Sequence, residues 1–240
     1  MIKLSKRLRA LSDLVTKGCV LADIGTDHGY LPIYLILTGK IERAFAMDIG
    51  TGPLMHAKEH IEAYGLGDYI TLRRSDGAAA LHPGEADSVL IAGMGGGVML
   101  HILEDGEETL LSAKEWILQP QSEIQNVREY LYRKGYCIDR EDMVLEDGKY
   151  YPMMHVSVGH RAQAHGYKKE EFALYCRYGE KLLRSGNTVL TQYLQHQILQ
   201  YESVLLHLEK QQKEAAKMRR KEIETELGYA KAALDYGKEV

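Results

Sequence analysis

Three acidic residues follow three short apolar runs in the first third of the chain. The run Cys19–Ile24 leads into "GTDHG", a second leads to Asp48, and a third leads into "SDG" at Asp76. If these runs are parallel strands, their carboxyl ends meet at one edge of a sheet, and the carboxylates should converge on one crevice. A carboxylate at Asp48 can accept hydrogen bonds from both hydroxyls of a ribose, and Asp76 could accept one from an adenine amino group. The pattern therefore predicts a site for an adenosine-containing ligand.

The turn after the first run distinguishes between two classes of adenosine ligand. A dinucleotide-binding turn has the pattern Gly-x-Gly-x-x-Gly and holds a pyrophosphate. Here the turn is Gly25-Thr-Asp-His-Gly29, with Asp27 in the middle. A carboxylate there would repel phosphates, whereas S-adenosylmethionine (SAM) has no phosphate and carries a sulfonium and an ammonium. Gly25 lets a ligand approach the backbone closely. Asp27, together with Asp23, therefore favours SAM over NAD.

Two further strand ends complete the predicted site. The fourth apolar run ends in "IAGMGGGVML", which offers a lip without side chains, and the fifth ends in "LQPQ", where Gln119 could contact a base edge and Pro120 could shape the pocket. The residues that we expect to bind the cofactor are Asp23, Gly25, Thr26, Gly29, Asp48, Ile49, Asp76, Gly77 and Ala92. Those that we expect beside the reacting atoms are Asp27, His28, Tyr30, Gly93, Met94 and Gly95.

These residues need a sheet to position them, and the sequence pattern of the first 160 residues predicts one. Strand patterns occur at Cys19–Ile24, Arg43–Ile49, Ile70–Arg74, Ser88–Ala92 and Trp116–Gln119, and helical spacing occurs at Leu31–Leu37, Pro53–Tyr64, Val98–Leu103 and Glu123–Lys134. Alternation of strand and helix predicts a parallel sheet covered on both faces, with right-handed crossovers.

The end of this region departs from the alternation. The segment "GYCIDREDMVLEDGKYYPMMHVSVG" is typical of two strands joined at Asp147-Gly148, a strong hairpin signal. A mostly parallel sheet that ends in an antiparallel hairpin differs from a plain dinucleotide-binding fold. It is the architecture of an α/β, Rossmann-like class I methyltransferase with seven strands.

After residue 160 the pattern becomes helical, which predicts a methyltransferase domain over 1–160 and a coiled-coil-like helical domain over 161–240. We expect a helix over Lys168–Leu183, a turn at Arg184–Thr188 and a helical hairpin beyond. The hairpin's apolar seams are Ile198, Tyr201, Leu205 and Leu208, then Ile223, Leu227, Ala230 and Leu234. Residues 1–160 carry 16 Lys and Arg against 23 Asp and Glu, a net charge of −7, and the remainder carries 14 against 11, or +3. The C-terminal part is therefore the more compatible with phosphate.

Composition excludes several classes of protein. Hydrophobic residues make up 45% of the chain and charged residues 27%, which is typical of a globular protein. No segment has the ~18 apolar residues of a membrane helix, and the N-terminal segment has the pattern of an amphipathic helix rather than a signal peptide. We therefore expect a cytoplasmic protein without a membrane partner. The three cysteines are far apart, which predicts no metal site.

The motifs "LSKRL", "ADIGTDHGYLP", "SDG", "IAGMGG" and "ILQPQ", in this order, resemble those of the TrmK family. The resemblance covers the first 160 residues and continues weakly into the helical part. It implies SAM-dependent methylation of N1 of adenine 22 in bacterial tRNA. Methyltransferases that act on exocyclic amines often carry Asn/Asp-Pro-Pro-Tyr after the fourth strand, and "GMGG" in its place implies a ring nitrogen. Gln121 stands where the family pattern suggests Asn.

Adenine N1 has an in-plane lone pair, so the expected chemistry needs no general base and depends on alignment. Asp27 is the candidate for orienting the adenine amino group and stabilising the charge of the product, with His28 and Tyr30 packing or hydrogen bonding beside it. Two alternatives remain: a nicotinamide-dependent oxidoreductase, which Asp27 disfavours, and a non-catalytic RNA or protein adaptor, against which the acids at Asp48 and Asp76 argue.

A tRNA partner requires contacts to phosphate, because the target base must leave the folded core of the RNA. The candidates are basic residues in two helical segments: Lys3, Lys6, Arg7, Arg9, Lys217, Arg219, Arg220 and Lys221. Both segments are equally compatible with solvated helix faces. The sequence leaves the oligomeric state open between a monomer and a weak dimer.

Overall fold

The computed structural model describes residues 2–161, 166–209 and 214–239. The chain divides into two compact units, Met1–Gly166 and Tyr167–Val240. The last strand of the first unit extends through Arg161, one residue past the boundary expected from the sequence. Residues 162–165, which belong to the connector expected there, lie outside the described residues.

The first unit is built on one seven-stranded sheet of order β3-β2-β1-β4-β5-β7-β6. The strands are β1 (Val20–Ile24), β2 (Arg43–Asp48), β3 (Ile70–Arg74), β4 (Ser88–Met94), β5 (Glu115–Pro120), β6 (Tyr136–Glu146) and β7 (Lys149–Arg161). Strands β1 to β5 are parallel, while β7 is antiparallel to both β5 and β6. This confirms the predicted fold. The strand order reverses between β1 and β4, and ligands of open parallel sheets bind outside the carboxyl ends at such a point.

The helices of this unit connect the strands and cover the sheet. They are α1 (Lys6–Leu14), α2 (Tyr30–Leu37), α3 (Thr51–Ala63), α4 (Gly96–Asp105), α5 (Glu107–Leu110) and α6 (Ile124–Lys134). The hydroxyl of Ser5 caps α1 by accepting a hydrogen bond from the Leu8 amide at 3.3 Å. Helix α1 buries Ala10, Leu11 and Leu14, which is the amphipathic pattern that the sequence predicts.

The terminal hairpin turns where the sequence predicts, at Asp147-Gly148. Both residues have positive φ, 48° and 74°. A two-residue type I′ turn needs this pair of angles because its twist matches that of the flanking strands. Glycine adopts positive φ without strain and aspartate tolerates it.

A buried ionic network ties the hairpin to the parallel sheet. His155 on β7 is 4% exposed, and its ring nitrogens lie 2.8 Å from Glu115 Oε2 and 2.5 Å from Asp139 Oδ1. Burial lowers the pKa of His155, but the two carboxylates outweigh burial and raise that pKa overall. Burial raises the pKa of Glu115, but hydrogen bonds from His155 and Thr16 outweigh it and lower that pKa to about 2. The network therefore holds a cationic imidazole between two carboxylates.

The second unit is helical. It contains α7 (Lys169–Tyr178), α8 (Glu180–Arg184), α9 (Thr188–Leu208) and α10 (Glu214–Glu239). The expectation of one helix over Lys168–Leu183 is wrong, because Gly179 adopts φ 89° and ψ 124° and breaks it. The apolar pattern continues through Gly179, so periodicity alone does not detect the break.

The predicted helical hairpin is formed by α9 and α10, which pack against each other. Lys231 pairs with Glu202 at 2.8 Å and Arg220 with Glu209 at 3.8 Å, so the two helices run antiparallel. Ile223 and Ala230 of the predicted seam are buried. Across the described residues, none of the helices is long and apolar enough to cross a membrane.

The ionic network makes a prediction about stability. His155→Gln should lower the free energy of unfolding by about 3 kcal/mol near pH 6, because it leaves the buried carboxylate of Glu115 without its cation. Asp139, whose side chain is 37% exposed, should contribute less. The pKa of His155 is raised on folding, so its contribution is full below the unfolded value and is lost as pH rises through the folded one. The Glu115 contribution is present above the ordinary pKa of 4.5 and is lost as pH falls toward 2.

Urea denaturation of the two proteins at pH 6 and pH 9 measures this difference. The difference in unfolding free energy between the wild type and His155→Gln should be larger at pH 6. His101→Gln, which removes an exposed histidine paired with Asp105 at 3.4 Å, is the matched control and should change stability little at either pH. If this difference in unfolding free energy is equal at both pH values, His155 contributes by packing alone.

Candidate active site

The turn between β1 and α2 is held in an uncommon conformation at the carboxyl edge of the sheet. Gly25, Asp27 and Gly29 all have left-handed φ, at 81°, 51° and 70°. The amides of Gly25 and Thr26 both donate to the carbonyl of Met47 at the end of β2, at 2.8 and 3.0 Å. A Cβ on Gly25 would collide with the Met94 side chain at the end of β4. The terminal methyl group of Met94 can move aside, so the φ of 81° is the stronger reason for glycine at Gly25.

Asp23, the acid of β1, is almost fully buried beneath this turn. It is 4% exposed and accepts a hydrogen bond from Thr26 Oγ1 at 2.6 Å. Burial raises its pKa to about 6, the hydrogen bond from Thr26 opposes that rise, and the charge of Asp48 adds to it. A poorly solvated carboxylate of this kind favours a cationic group beside it.

A cavity of about 90 Å³ opens beside the turn. It brings together seven of the candidates from the sequence, namely Asp23, Gly25, Thr26, Asp27, His28, Tyr30 and Ala92. Leu8, Leu31 and Leu90 supply apolar walls. Asp27 is the exposed acid of the set, with 66% of its side chain accessible. Its φ of 51° is uncommon for a residue other than glycine, although aspartate is among the residues that tolerate it.

Arg7 also lines this cavity, which changes its assignment. Its Nη1 donates to Gln119 Oε1 at 3.0 Å, and its guanidinium lies 5.5 Å from the centre of the Tyr151 ring. Arg7 is half-buried and faces the cavity, whereas Lys3, Lys6 and Arg9 are exposed, and a phosphate contact of any of the four stays a prediction. The spacing of Arg7 to Leu11 and Leu14, four and seven residues, places it on the buried face of α1 and is the signal that sequence reasoning missed.

Gln119 is fully buried, and the structure gives its side chain an internal role. Its Oε1 accepts from Arg7 and from the Gly93 amide at 3.2 Å, and its Nε2 donates to the carbonyl of Pro120 at 3.1 Å. With these bonds made, Gln119 positions Arg7 and β4 and does not offer a free edge to a base. Gln121 beside it is exposed.

The ends of β2 and β3 form a neighbouring part of the site. Asp48 is half-buried and accepts from the Gly50 amide at 2.8 Å, while its carbonyl accepts from the Ser75 amide at 2.9 Å. Ile49 is 57% exposed. Asp76 and Gly77 line a second cavity, of about 330 Å³, against α4. The acids share the carboxyl edge of the sheet, but Asp23 and Asp27 line one cavity, Asp76 lines another, and Asp48 lines neither of these two.

The glycine-rich segment after β4 has two different functions. Gly93 is exposed with φ 79°, and Gly95 is half-buried at the start of α4. Gly96 is buried, donates to the Ser122 carbonyl at 3.1 Å and would meet that oxygen at 2.6 Å if it carried a Cβ. Gly96 therefore serves packing and does not contribute to the lip predicted from sequence, whereas Gly97 beside it is exposed.

Four rings cluster at the mouth of the first cavity: His28, Tyr30, His56 and His60. The His28 ring centre lies 5.3 Å from Tyr30 and 5.2 Å from His56, with planes 23° and 20° apart. Tyr30 and His60 are 4.8 Å apart. Sequence reasoning missed His56 and His60, whose spacing of four residues on α3 places them on one helix face.

Within the described ranges, no group of three or more His, Cys, Asp or Glu residues is arranged to hold a metal ion.

Comparison with known proteins agrees with this geometry. A family model described as "Methyltransferase domain" matches residues 4–154. A Bacillus subtilis (strain 168) protein named tRNA (adenine(22)-N(1))-methyltransferase is 36% identical over 98% of this chain and 99% of its own length. The crystal structure of the B. subtilis tRNA methyltransferase TrmK superimposes with a TM-score of 0.85 and 33% identity, covering 98% of this chain and 100% of that chain.

A Streptococcus pneumoniae structure solved in complex with S-adenosyl-L-methionine is similar over 97% of this chain and 100% of its own, with a TM-score of 0.82 and 30% identity. The similarity to these proteins extends through both units of the present chain. The chain belongs to the TrmK family of methyltransferases.

Proposed function

We propose that this protein transfers the methyl group of SAM to N1 of adenine 22 in tRNA. The observation that carries the proposal is 36% identity over 98% of the chain to a tRNA (adenine(22)-N(1))-methyltransferase. The acidic turn at the switch point of the sheet supports it independently, because that turn is unsuited to a pyrophosphate. With tRNA as its substrate, the protein is proposed to act in the cytoplasm.

The residues at the carboxyl edge fit SAM. The buried carboxylate of Asp23 and the exposed one of Asp27 favour a cationic ligand, which SAM is at its sulfonium and ammonium. Arg7 supplies a guanidinium to the same cavity, suited to the carboxylate of the methionine moiety. We assign the ribose hydroxyls to Asp48, and the adenine ring to Asp76, Gly77 and the exposed Ile49.

When bound, SAM supplies a methyl group already activated by its sulfonium. Since adenine N1 has a free lone pair, the chain needs no base at this position, and its task is to hold the acceptor in line with the methyl group. The positive charge of the sulfonium passes to the methylated adenine. Asp27, at the mouth of the cavity, is placed to accept from the N6 amino group and to stabilise that charge.

The same geometry disfavours the alternative functions. A nicotinamide-dependent oxidoreductase would bring a pyrophosphate to the turn that Asp27 occupies. A non-catalytic adaptor would have no need of a buried carboxylate, that of Asp23, beneath the turn at the switch point of the sheet.

The direct test of the function uses two tRNA transcripts. One carries adenine at position 22 and the other guanine, and both are incubated with methyl-labelled SAM. The proposal requires incorporation into the first and almost none into the second. Equal incorporation into both transcripts would move the methylation site elsewhere, and no incorporation into either would contradict the proposed activity.

Binding of SAM tests the assignment of Asp48. Asp48→Ala should weaken SAM binding by about 1–3 kcal/mol, because the ribose hydroxyls lose a hydrogen-bond partner in the site. Isothermal titration calorimetry measures the effect. Asp68→Ala is the control, since this exposed acid precedes β3 at the opposite edge of the sheet and should leave affinity unchanged. Unaltered affinity in a folded Asp48→Ala protein would refute the assignment.

Turnover tests the assignment of Asp27. Asp27→Ala should lower kcat for methylation far more than it lowers SAM affinity, because its proposed partner is the acceptor base and the charge that develops there. A loss of roughly 10²-fold is the scale for one stabilising group at a reacting centre. Single-turnover rates at saturating SAM separate the two effects. A normal rate combined with weak SAM binding would make Asp27 a cofactor ligand only.

The basic cluster of α10 tests the proposed role of the second unit in tRNA binding. Lys217, Arg219 and Arg220 are exposed, and each pairs with a glutamate on the same helix, at 3.2, 2.9 and 2.8 Å. Such surface pairs contribute little to stability, about 0–1 kcal/mol each, so phosphates can replace the glutamates.

Replacement of Lys217, Arg219, Arg220 and Lys221 by Ala should therefore weaken tRNA binding and leave SAM binding unchanged. The slope of log affinity against log salt should decrease by up to about 0.9 for each duplex phosphate that the variant no longer neutralises. Filter binding over a salt series provides both quantities. An unchanged affinity and slope would identify the cluster as a solvated helix face.

A further inference from the structure

Three rings of the ring cluster, defined above as His28, Tyr30, His56 and His60, stack in a row. The rings of Tyr30, His28 and His56 succeed one another at 5.3 and 5.2 Å with nearly parallel planes. Tyr30 and His28 line the first cavity, whereas His56 is exposed on α3. The series therefore leads from the cavity to a histidine ring that is accessible to a partner.

Backbone packing fixes this series in place. Gly29 lies against Ala57, where an added Cβ would be 3.3 Å from the Ala57 Cβ, so α3 is seated directly on the acidic turn. His60 Nδ1 lies 2.9 Å from the carbonyl oxygen of His28. A carbonyl only accepts, so this nitrogen carries the proton and His60 anchors the backbone of His28. His56 and His60 thus flank a buried contact that is part of the site.

We infer that His56 stacks on an unpaired nucleobase of the tRNA next to the target adenine. The inference rests on the proposed function, since an adenine that leaves its stack exposes the faces of its neighbours. Proteins hold such bases on aromatic and histidine side chains, and stacking of this kind tolerates any base. A phosphate is the poorer occupant, because Asp27 Oδ2 lies 3.5 Å from His28 Nε2 within the same surface.

The experiment compares His56→Ala, His56→Phe and the wild-type chain. Affinity for unmodified tRNA, its dependence on salt, and affinity for SAM are measured for each protein. His56→Ala should weaken tRNA binding by roughly 5-fold or more, the lower end of the range for loss of one stacked base. His56→Phe should restore wild-type affinity to within about twofold, because a phenyl ring provides a stacking face. The salt slope and SAM affinity should not change.

A second arm tests which part of the RNA is involved. A tRNA with an abasic nucleotide on one side of the target adenine should bind the wild-type protein as weakly as intact tRNA binds His56→Ala, and the two changes together should add nothing. His82→Ala, which removes an exposed histidine outside the ring cluster, is the matched control.

Equal tRNA affinity of His56→Ala and the wild type would overturn the inference. So would a His56→Phe protein that binds as weakly as His56→Ala with a shallower salt slope, which would mean a phosphate contact. Failure of the proposed function has a different signature, since the wild-type chain would then leave adenine 22 unmethylated whatever the binding data show.

Discussion

The site depends on one constraint, the path of the backbone from β1 into α2. Two consecutive amides, those of Gly25 and Thr26, donate to a single carbonyl on β2, and Gly25, Asp27 and Gly29 adopt left-handed φ. This places a carboxylate at the switch point of the sheet, where a phosphate-binding turn would present amides. The same path brings Gly29 against Ala57, so that α3 and its histidines join the site.

A second set of polar contacts holds α1 against the sheet and thereby positions Arg7. The amides of Lys6 and Arg7 donate to the Glu146 carboxylate at 2.5 and 3.3 Å, and Glu146 directly precedes the hairpin turn. After the other end of α1, the Thr16 amide donates to Glu115 at 2.9 Å, within the ionic network of His155. The antiparallel hairpin that distinguishes this fold from a dinucleotide-binding one thus also orients a cation at the cavity. The charges of Glu146 and of the His155 network thus link the hairpin to the position of α1.

Sequence patterns predicted the fold because the relevant signals are local. Short apolar runs predicted the five parallel strands of the sheet, and Asp147-Gly148 predicted the hairpin turn between the last two. The site was predicted in part, since acids at strand ends must lie at one edge of a parallel sheet. Sequence could not separate the two cavities, because that division depends on how the Asp76 loop packs against α4. The inward position of Arg7 and the contact of α3 with the turn also depend on tertiary packing. No local pattern in the sequence identifies what His56 binds.

We propose that the acidic turn directs the methyl group of SAM to a ring nitrogen of adenine in tRNA. The most direct measurement is digestion of tRNA methylated by the purified protein with isotopically labelled SAM, followed by mass spectrometry of the nucleosides against authentic standards. The expected product is labelled 1-methyladenosine, located at position 22 by fragment mapping. Label in N6-methyladenosine, formed before any chemical rearrangement of the product, would contradict it.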